Sequence, residues 1–256
     1  RSVPHCSSRP RETVVSSQGE GACRSREVEL ATRLFVAAVP PPEVAEALLA
    51  AVRRTRAAAA DLRWTTPDQW HVTFAFLGPV PDDRRAELGV RLARVARRHG
   101  PFAVETVGGG RFGDRVLWTA VRQPPPVTAD ASVDGIAAAA AAAAGDVAGS
   151  RASPRLTALA VGVRRAAERA GAARRNTRPL RAHLTLARVP NGRGRALEPL
   201  VELLRADVPP LPWSVERLIL MSSSGGGESG SSPTYRAETV WDLVGGQPSV
   251  EGSAGR

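Results

Sequence analysis

The feature that most constrains this chain is a short pattern that occurs twice. His71-Val72-Thr73-Phe74-Ala75-Phe76-Leu77-Gly78 returns as His183-Leu184-Thr185-Leu186-Ala187-Arg188-Val189. Both are runs of apolar residues of strand length, and a strand turns successive side chains to opposite faces. Plain alternation puts His71, Thr73 and Ala75 on one face, against Val72, Phe74 and Phe76 on the other. In the second copy His183, Thr185 and Ala187 oppose Leu184, Leu186 and Arg188. On this reading Arg188 points away from His183 unless a bulge intervenes. Each strand thus has an apolar face to bury and a face that carries one imidazole and one hydroxyl. If the two strands line one cleft, two imidazoles and two hydroxyls converge.

Such a cluster suits in-line displacement at a phosphodiester, in which one group takes a proton from water and another protonates the leaving oxygen. Imidazole titrates near neutral pH, so two rings can divide that labour without large tuning. Threonine hydroxyls and backbone N–H groups can donate to the non-bridging oxygens as charge develops there. The arrangement requires no metal. A lone His on a strand is more often structural than catalytic. Here two of only four histidines fall at matched places in matched strands, and this reverses the weighting.

Further residues stand around the two motifs. Arg33-Leu34-Phe35-Val36-Ala37-Ala38-Val39-Pro40 lies near the start, Leu62-Arg63-Trp64-Thr65 before the first motif, Val116-Leu117-Trp118 midway, and Tyr235-Arg236 late. With these flanks the chain resembles the two-histidine (2H) phosphoesterases over residues 33–244, in particular the RNA 2′,3′-cyclic phosphodiesterase (2′-5′ RNA ligase-like) family. It departs from that family's pattern in having Ala182 immediately before the second His, where Pro is frequent.

The resemblance implies an α+β fold of two pseudo-symmetric lobes, with antiparallel sheets lining a central cleft and helices outside. It implies hydrolysis of an RNA terminal 2′,3′-cyclic phosphate to a 2′-phosphomonoester. His71 would be the proton donor and His183 the proton acceptor, with Thr73 and Thr185 on the phosphate. Arg178, Arg181 and Arg188 are candidates for RNA phosphates, and Tyr235 for a base or ribose. No cofactor and no metal are expected. The expected partner is an RNA with a cyclic phosphate end, tRNA fragments included, and the protein is expected to be a monomer. ATP-independent 2′-5′ joining or cleavage, cyclic-nucleotide hydrolysis, and a catalytically idle RNA- or nucleotide-binding module stand as alternatives.

Composition narrows these. The net charge of +10 suits a phosphate-rich partner. All 35 basic residues are Arg, so coding bias weakens that inference. The missing Lys is more decisive: within this sequence there is none to form a lysyl–AMP intermediate or to end a phosphate loop. Cys6 and Cys23 fit no metal or redox spacing. No apolar run is long enough to span a membrane, and a soluble cytoplasmic protein is expected.

Along the chain, residues 1–32 read as a disordered extension, residues 33–39 as a strand, residues 43–56 as one amphipathic helix with Val44, Ala47, Leu48, Ala51 and Val52 inward, and 66–68 as a turn. Asp82 or Asp83 is placed to cap a helix ending near His99. Strands are expected over 102–107 and 115–121, joined by a Gly-rich loop over 108–114. The Pro- and Ala-rich residues 123–154 look like an insertion. Helices follow over 155–173 and 195–206, then strands over 213–221 and 235–244 with a flexible Ser/Gly loop between them, and a disordered tail over 245–256. The lobes are expected at about 33–107 and 115–244.

Overall fold

The computed structural model describes residues 33–125, 153–190, 194–225 and 233–245. The expected N-terminal extension with both cysteines, the body of the expected insertion, most of the Ser/Gly loop and residues 246–256 lie outside the described residues.

The elements run β1 (Arg33–Ala38), α1 (Pro42–Ala51), α2 (Arg53–Ala58), β2 (Arg63–Trp64), a 3-10 turn (Pro67–Gln69), β3 (Val72–Pro79), α3 (Asp82–Arg98), β4 (Phe102–Phe112) and β5 (Val116–Arg122). They continue with α4 (Pro154–Arg169), β6 (His183–Arg188), α5 (Glu198–Asp207), β7 (Leu211–Val215), β8 (Arg217–Ser224) and β9 (Thr234–Asp242). Two antiparallel sheets result, ordered β3-β1-β8-β9 and β2-β6-β5-β4-β7, so the α+β architecture is as expected. Each sheet holds one motif strand, and β3 and β6 meet where the sheets adjoin.

Sheet membership crosses the expected lobe boundary. β8 and β9 pair with β1 near the start of the chain, whereas β2 and β4 join β6 from the later part. The segment expected as one strand over 213–221 is therefore two, which part at Glu216. β7 pairs with β4 in one sheet and β8 with β1 in the other.

The helices pack on these sheets through apolar stripes at helical spacing. In α3 the stripe is Leu88, Leu92 and Ala96, all at most 1% exposed. In α4 it is Leu156, Leu159, Ala160, Val163, Ala166 and Ala167. Each leucine so buried contributes roughly 1.5–3 kcal/mol of transfer free energy. α3 packs on α4, α4 on β3, and α5 on β4, which leaves the other sheet faces to line the cleft.

Local readings change in three places. The helix expected over 43–56 bends at Val52, which lets Val52 and Thr55 both be buried; Ala45 is buried in place of the exposed Ala47. Neither Asp82 nor Asp83 caps α3; Pro81 holds the cap position and both carboxylates lie in the first turn, where the helix dipole favours them. The Gly-rich stretch expected as a loop is the second half of β4. A Cβ on Gly109 would stand 2.3 Å from Leu204 Cβ, and one on Gly110 would stand 2.3 Å from the Trp118 ring. Glycine is required there because α5 and an indole lie against the strand's backbone.

Candidate active site

His71 stands one residue before β3, and the preceding 3-10 turn sets its ring. Backbone bonds from Gln69 to Thr66 and from Trp70 to Pro67 fix that turn. They present the Gln69 carbonyl to His71 Nδ1 at 2.8 Å. His183 opens β6, and its Nδ1 meets the Arg181 carbonyl at 2.6 Å. A carbonyl can only accept, so Nδ1–H donates in both rings and each neutral imidazole carries its lone pair on Nε2.

Aromatic rings hold both imidazoles. Tyr235 meets His71 edge-on at 5.0 Å between centroids, and Phe35 lies 4.7 Å away. Phe112 meets His183 edge-on at 4.8 Å, with Trp118 at 6.1 Å. Beneath the rings, Phe35, Ala37 and Met221 form a small apolar cluster on one sheet, and Val107 and Ala120 form its counterpart on the other. Gln69 also ties the two ends of this arrangement, its Nε2 donating to the Pro233 carbonyl just before β9, which carries Tyr235.

Both motif strands carry a bulge at the same point. Across β1, Ala37 pairs with Thr73 and Val36 with Ala75, which leaves Phe74 unopposed. Across β5, Trp118 pairs with Thr185 and Leu117 with Ala187, which leaves Leu186 unopposed. Past an extra residue the side-chain alternation reverses. Ala75 and Ala187 therefore turn into the core, at 7% and 0% exposed. Phe76 and Arg188 emerge on the histidine face instead. This corrects the assignment of Phe76 to the buried face: the residue is 76% exposed, and its ring lies 6.1 Å from that of Phe35 between centroids. It also supplies the bulge that Arg188 needed.

Side chains hold both bulges. Thr65 Oγ1 lies 2.7 Å from the Thr185 carbonyl and 2.9 Å from that of Leu186, and it accepts the Trp70 indole N–H at 2.8 Å. Through Thr65, the residue next to His71 is linked to the bulge that follows His183. On the other strand Arg164 Nε donates to the Phe74 carbonyl at 3.1 Å, while its Nη1 donates to the Arg178 carbonyl at 2.5 Å.

Burial is the largest influence on both imidazoles and disfavours their charged forms. It pushes His71 down from 6.5 to about 4, opposed by the Gln69 carbonyl and reinforced by the charges of His183 and Arg188. His183 is lowered for the same first reason, opposed by the Arg181 carbonyl and reinforced by Arg188. Burial raises the Tyr235 phenol, and Arg188 opposes that shift. One guanidinium thus acts on residues from both sheets, which brings His71, His183, Arg188 and Tyr235 to one site.

Thr73 and Thr185 lie half-buried on their strands. Neither hydroxyl has a hydrogen-bond partner among the described residues. Arg181 reaches the rim, its guanidinium 6.0 Å over the Phe112 ring. The exposed Arg178 belongs instead to a groove beside α4. Sequence reasoning missed the roles of Phe76, Phe112 and Thr65. The repeat itself held a signal for Phe76, since it matches Arg188 position for position. Among the described residues no group of three or more His, Cys, Asp or Glu is arranged to hold a metal ion.

Two matched H-x-T strands, one in each of two antiparallel sheets, with the histidines brought to a shared site, define a two-histidine phosphoesterase architecture. The family model described as LigT like Phosphoesterase matches residues 39–118 and 149–228, one stretch around each motif, and the chain belongs to that family. An RNA 2′,3′-cyclic phosphodiesterase from Geobacillus stearothermophilus is 36% identical over 64 residues, a match that covers 23% of this chain and 20% of that protein. Among solved structures, E. coli LigT complexed with 3′-AMP superposes with a TM-score of 0.55 at 24% identity, covering 83% of this chain and 98% of LigT. A Thermus thermophilus protein superposes with a TM-score of 0.54 at 24% identity, covering 84% of this chain and 100% of its own. These likenesses show the fold.

Proposed function

We propose that the cleft hydrolyses the 2′,3′-cyclic phosphate at the end of an RNA, without a metal, and leaves a 2′-phosphomonoester. The observation that carries this reading is the matched setting of the two imidazoles: each Nδ1–H is tied to a carbonyl two residues upstream. Nε2 is left in each ring to move a proton. In the reaction His183 Nε2 takes a proton from water as the water oxygen bonds to phosphorus. His71, protonated at Nε2, gives its proton to O3′ as the P–O3′ bond breaks. The resemblance supports this division of roles.

Both rings are lowered in the free cleft, so both are neutral near pH 7. An arriving phosphate anion raises them again and lets one hold the proton that the acid must give. Thr73 and Thr185 donate to the non-bridging oxygens, and Arg188 offsets the charge that develops there. Phe76 and Tyr235 offer aromatic faces for the terminal base and ribose, and Arg181 faces the phosphate that precedes the end. The 3′-AMP bound by E. coli LigT supports a nucleotide ligand.

The test is incubation with an RNA oligonucleotide ending in a 2′,3′-cyclic phosphate, in EDTA, followed by end-group analysis. The expected product carries a 2′-phosphate and a free 3′-hydroxyl. A 3′-phosphate product would reverse the leaving-group assignment, and no turnover by folded protein would end the diesterase reading for this substrate.

A further inference from the structure

α4 and the irregular segment over 174–180, which runs on in the chain to His183, enclose a groove of about 540 Å³ whose charged lining is almost entirely arginine. Arg165 and Arg169 stand four residues apart on one face of α4, and Arg175 and Arg178 face them from the segment. All four are exposed, and none has an ion-pair partner among the described residues. The fifth arginine, Arg164, is held by the Phe74 and Arg178 carbonyls and ties the groove's two walls together. The one carboxylate in the lining, Glu168, accepts the Asn176 backbone N–H at 3.3 Å.

Like charges converging on one concave surface repel one another, and a bound polyanion relieves that cost. Four guanidinium groups without an ion-pair partner among the described residues exceed what a single phosphate can use, and their arrangement along two facing walls suits successive phosphates of one strand. The groove's wall also leads to the site. His183 stands five positions after Arg178 in the chain, which is at most roughly 18 Å. The Phe74 carbonyl held by Arg164 belongs to the bulge that exposes Phe76.

We propose that this groove binds the backbone phosphates of a single-stranded RNA a few nucleotides 5′ of its cyclic phosphate end. The inference rests on the diesterase reading for the identity of that end. It makes the enzyme selective for an RNA strand over a cyclic mononucleotide, which fills the histidine cleft alone.

The test combines Arg165→Ala, Arg169→Ala and Arg175→Ala in one variant; all three side chains are exposed, so the fold is left intact. Turnover is compared on a 2′,3′-cyclic mononucleotide and on an RNA dodecamer ending in a 2′,3′-cyclic phosphate. The expected result is a loss of at least tenfold in kcat/KM on the dodecamer, carried by KM, with the mononucleotide unchanged within about twofold. Equal effects on the two substrates would overturn the proposal.

A binding arm separates its failure from failure of the diesterase reading. The protein with both His71→Ala and His183→Ala is titrated with a fluorescent dodecamer over a range of salt concentrations, with and without the three arginine changes. Each lost phosphate contact removes about 0.7 from the log–log salt slope for a single strand, so the slope should fall by about 2. That result supports the groove even if wild type turns over neither substrate. An unchanged slope and affinity would refute it even if wild type turns over both.

Discussion

At His71 the ring nitrogen that faces away from the cleft is committed to the Gln69 carbonyl, and burial drives the imidazole towards its neutral form. The unfolded ring titrates near 6.5 and the folded one near 4. Between those values the unfolded state binds a proton that the folded state refuses, so stability is lost as pH falls through that window and levels off below it. The contribution is at most about 3 kcal/mol, at 1.36 kcal/mol per unit. Chemical denaturation of wild type and His71→Gln at pH 7, 5.5 and 4 should show the variant losing less stability in that window; parallel curves would contradict the burial argument. Arg188 acts on the same rings from the strand's far end. Arg188→Ala should raise the pH of the acidic limb of kcat/KM and, on the proposed mechanism in which the guanidinium offsets transition-state charge, cut activity roughly tenfold to a hundredfold. A pH–rate profile reads both effects.

The motif strands were legible as far as their bulges and no further. Alternation correctly puts His71 with Thr73 and His183 with Thr185, because no irregularity lies between those pairs. It fails at Phe76, because the extra residue at Phe74 is set by the pairing of β3 with β1, which a single strand's pattern does not display. The Gly-rich half of β4 failed for a related reason: Gly109 and Gly110 answer to Leu204 and Trp118, which arrive from other elements. Gly110→Ala should therefore displace the Trp118 indole and destabilise the protein by about 1–3 kcal/mol, the usual cost of overpacking. A thermal melt within a degree of wild type would contradict that contact. Thr65→Val removes the hydroxyl bonded to the β6 bulge and to Trp70, and about 1–3 kcal/mol of stability should go with it because the indole N–H is left unpaired. Its effect on kcat should exceed its effect on KM, because it acts on the geometry of the two histidine strands rather than on a substrate contact.

In the molecule as a whole, the sequence repeat and the structural repeat divide the chain differently. Two similar motifs invite a cut between them, and the lobes expected at 33–107 and 115–244 follow that cut. The sheets do not, since β8 and β9 return from the end of the chain to complete the sheet of β1 and β3. Only the pairing of distant strands reveals this, and no local composition or periodicity carries it. A chain divided within residues 126–152 should give two pieces that are each unfolded alone by circular dichroism and fold only when mixed. Independent folding of either piece would contradict the interleaved sheets.

The interleaving gives the two histidines, 112 residues apart in number (183 minus 71), one shared site. The most direct measurement of that claim is kcat/KM on a cyclic-phosphate-ended RNA for His71→Ala, His183→Ala and the double variant. Each single change should cost about 10²–10⁴-fold, the range for a positioned acid or base. The double change should cost little more than the worse single one, because two groups that move protons in one step act as a unit. Either single variant retaining activity within tenfold of wild type, or losses that multiply in the double, would contradict it.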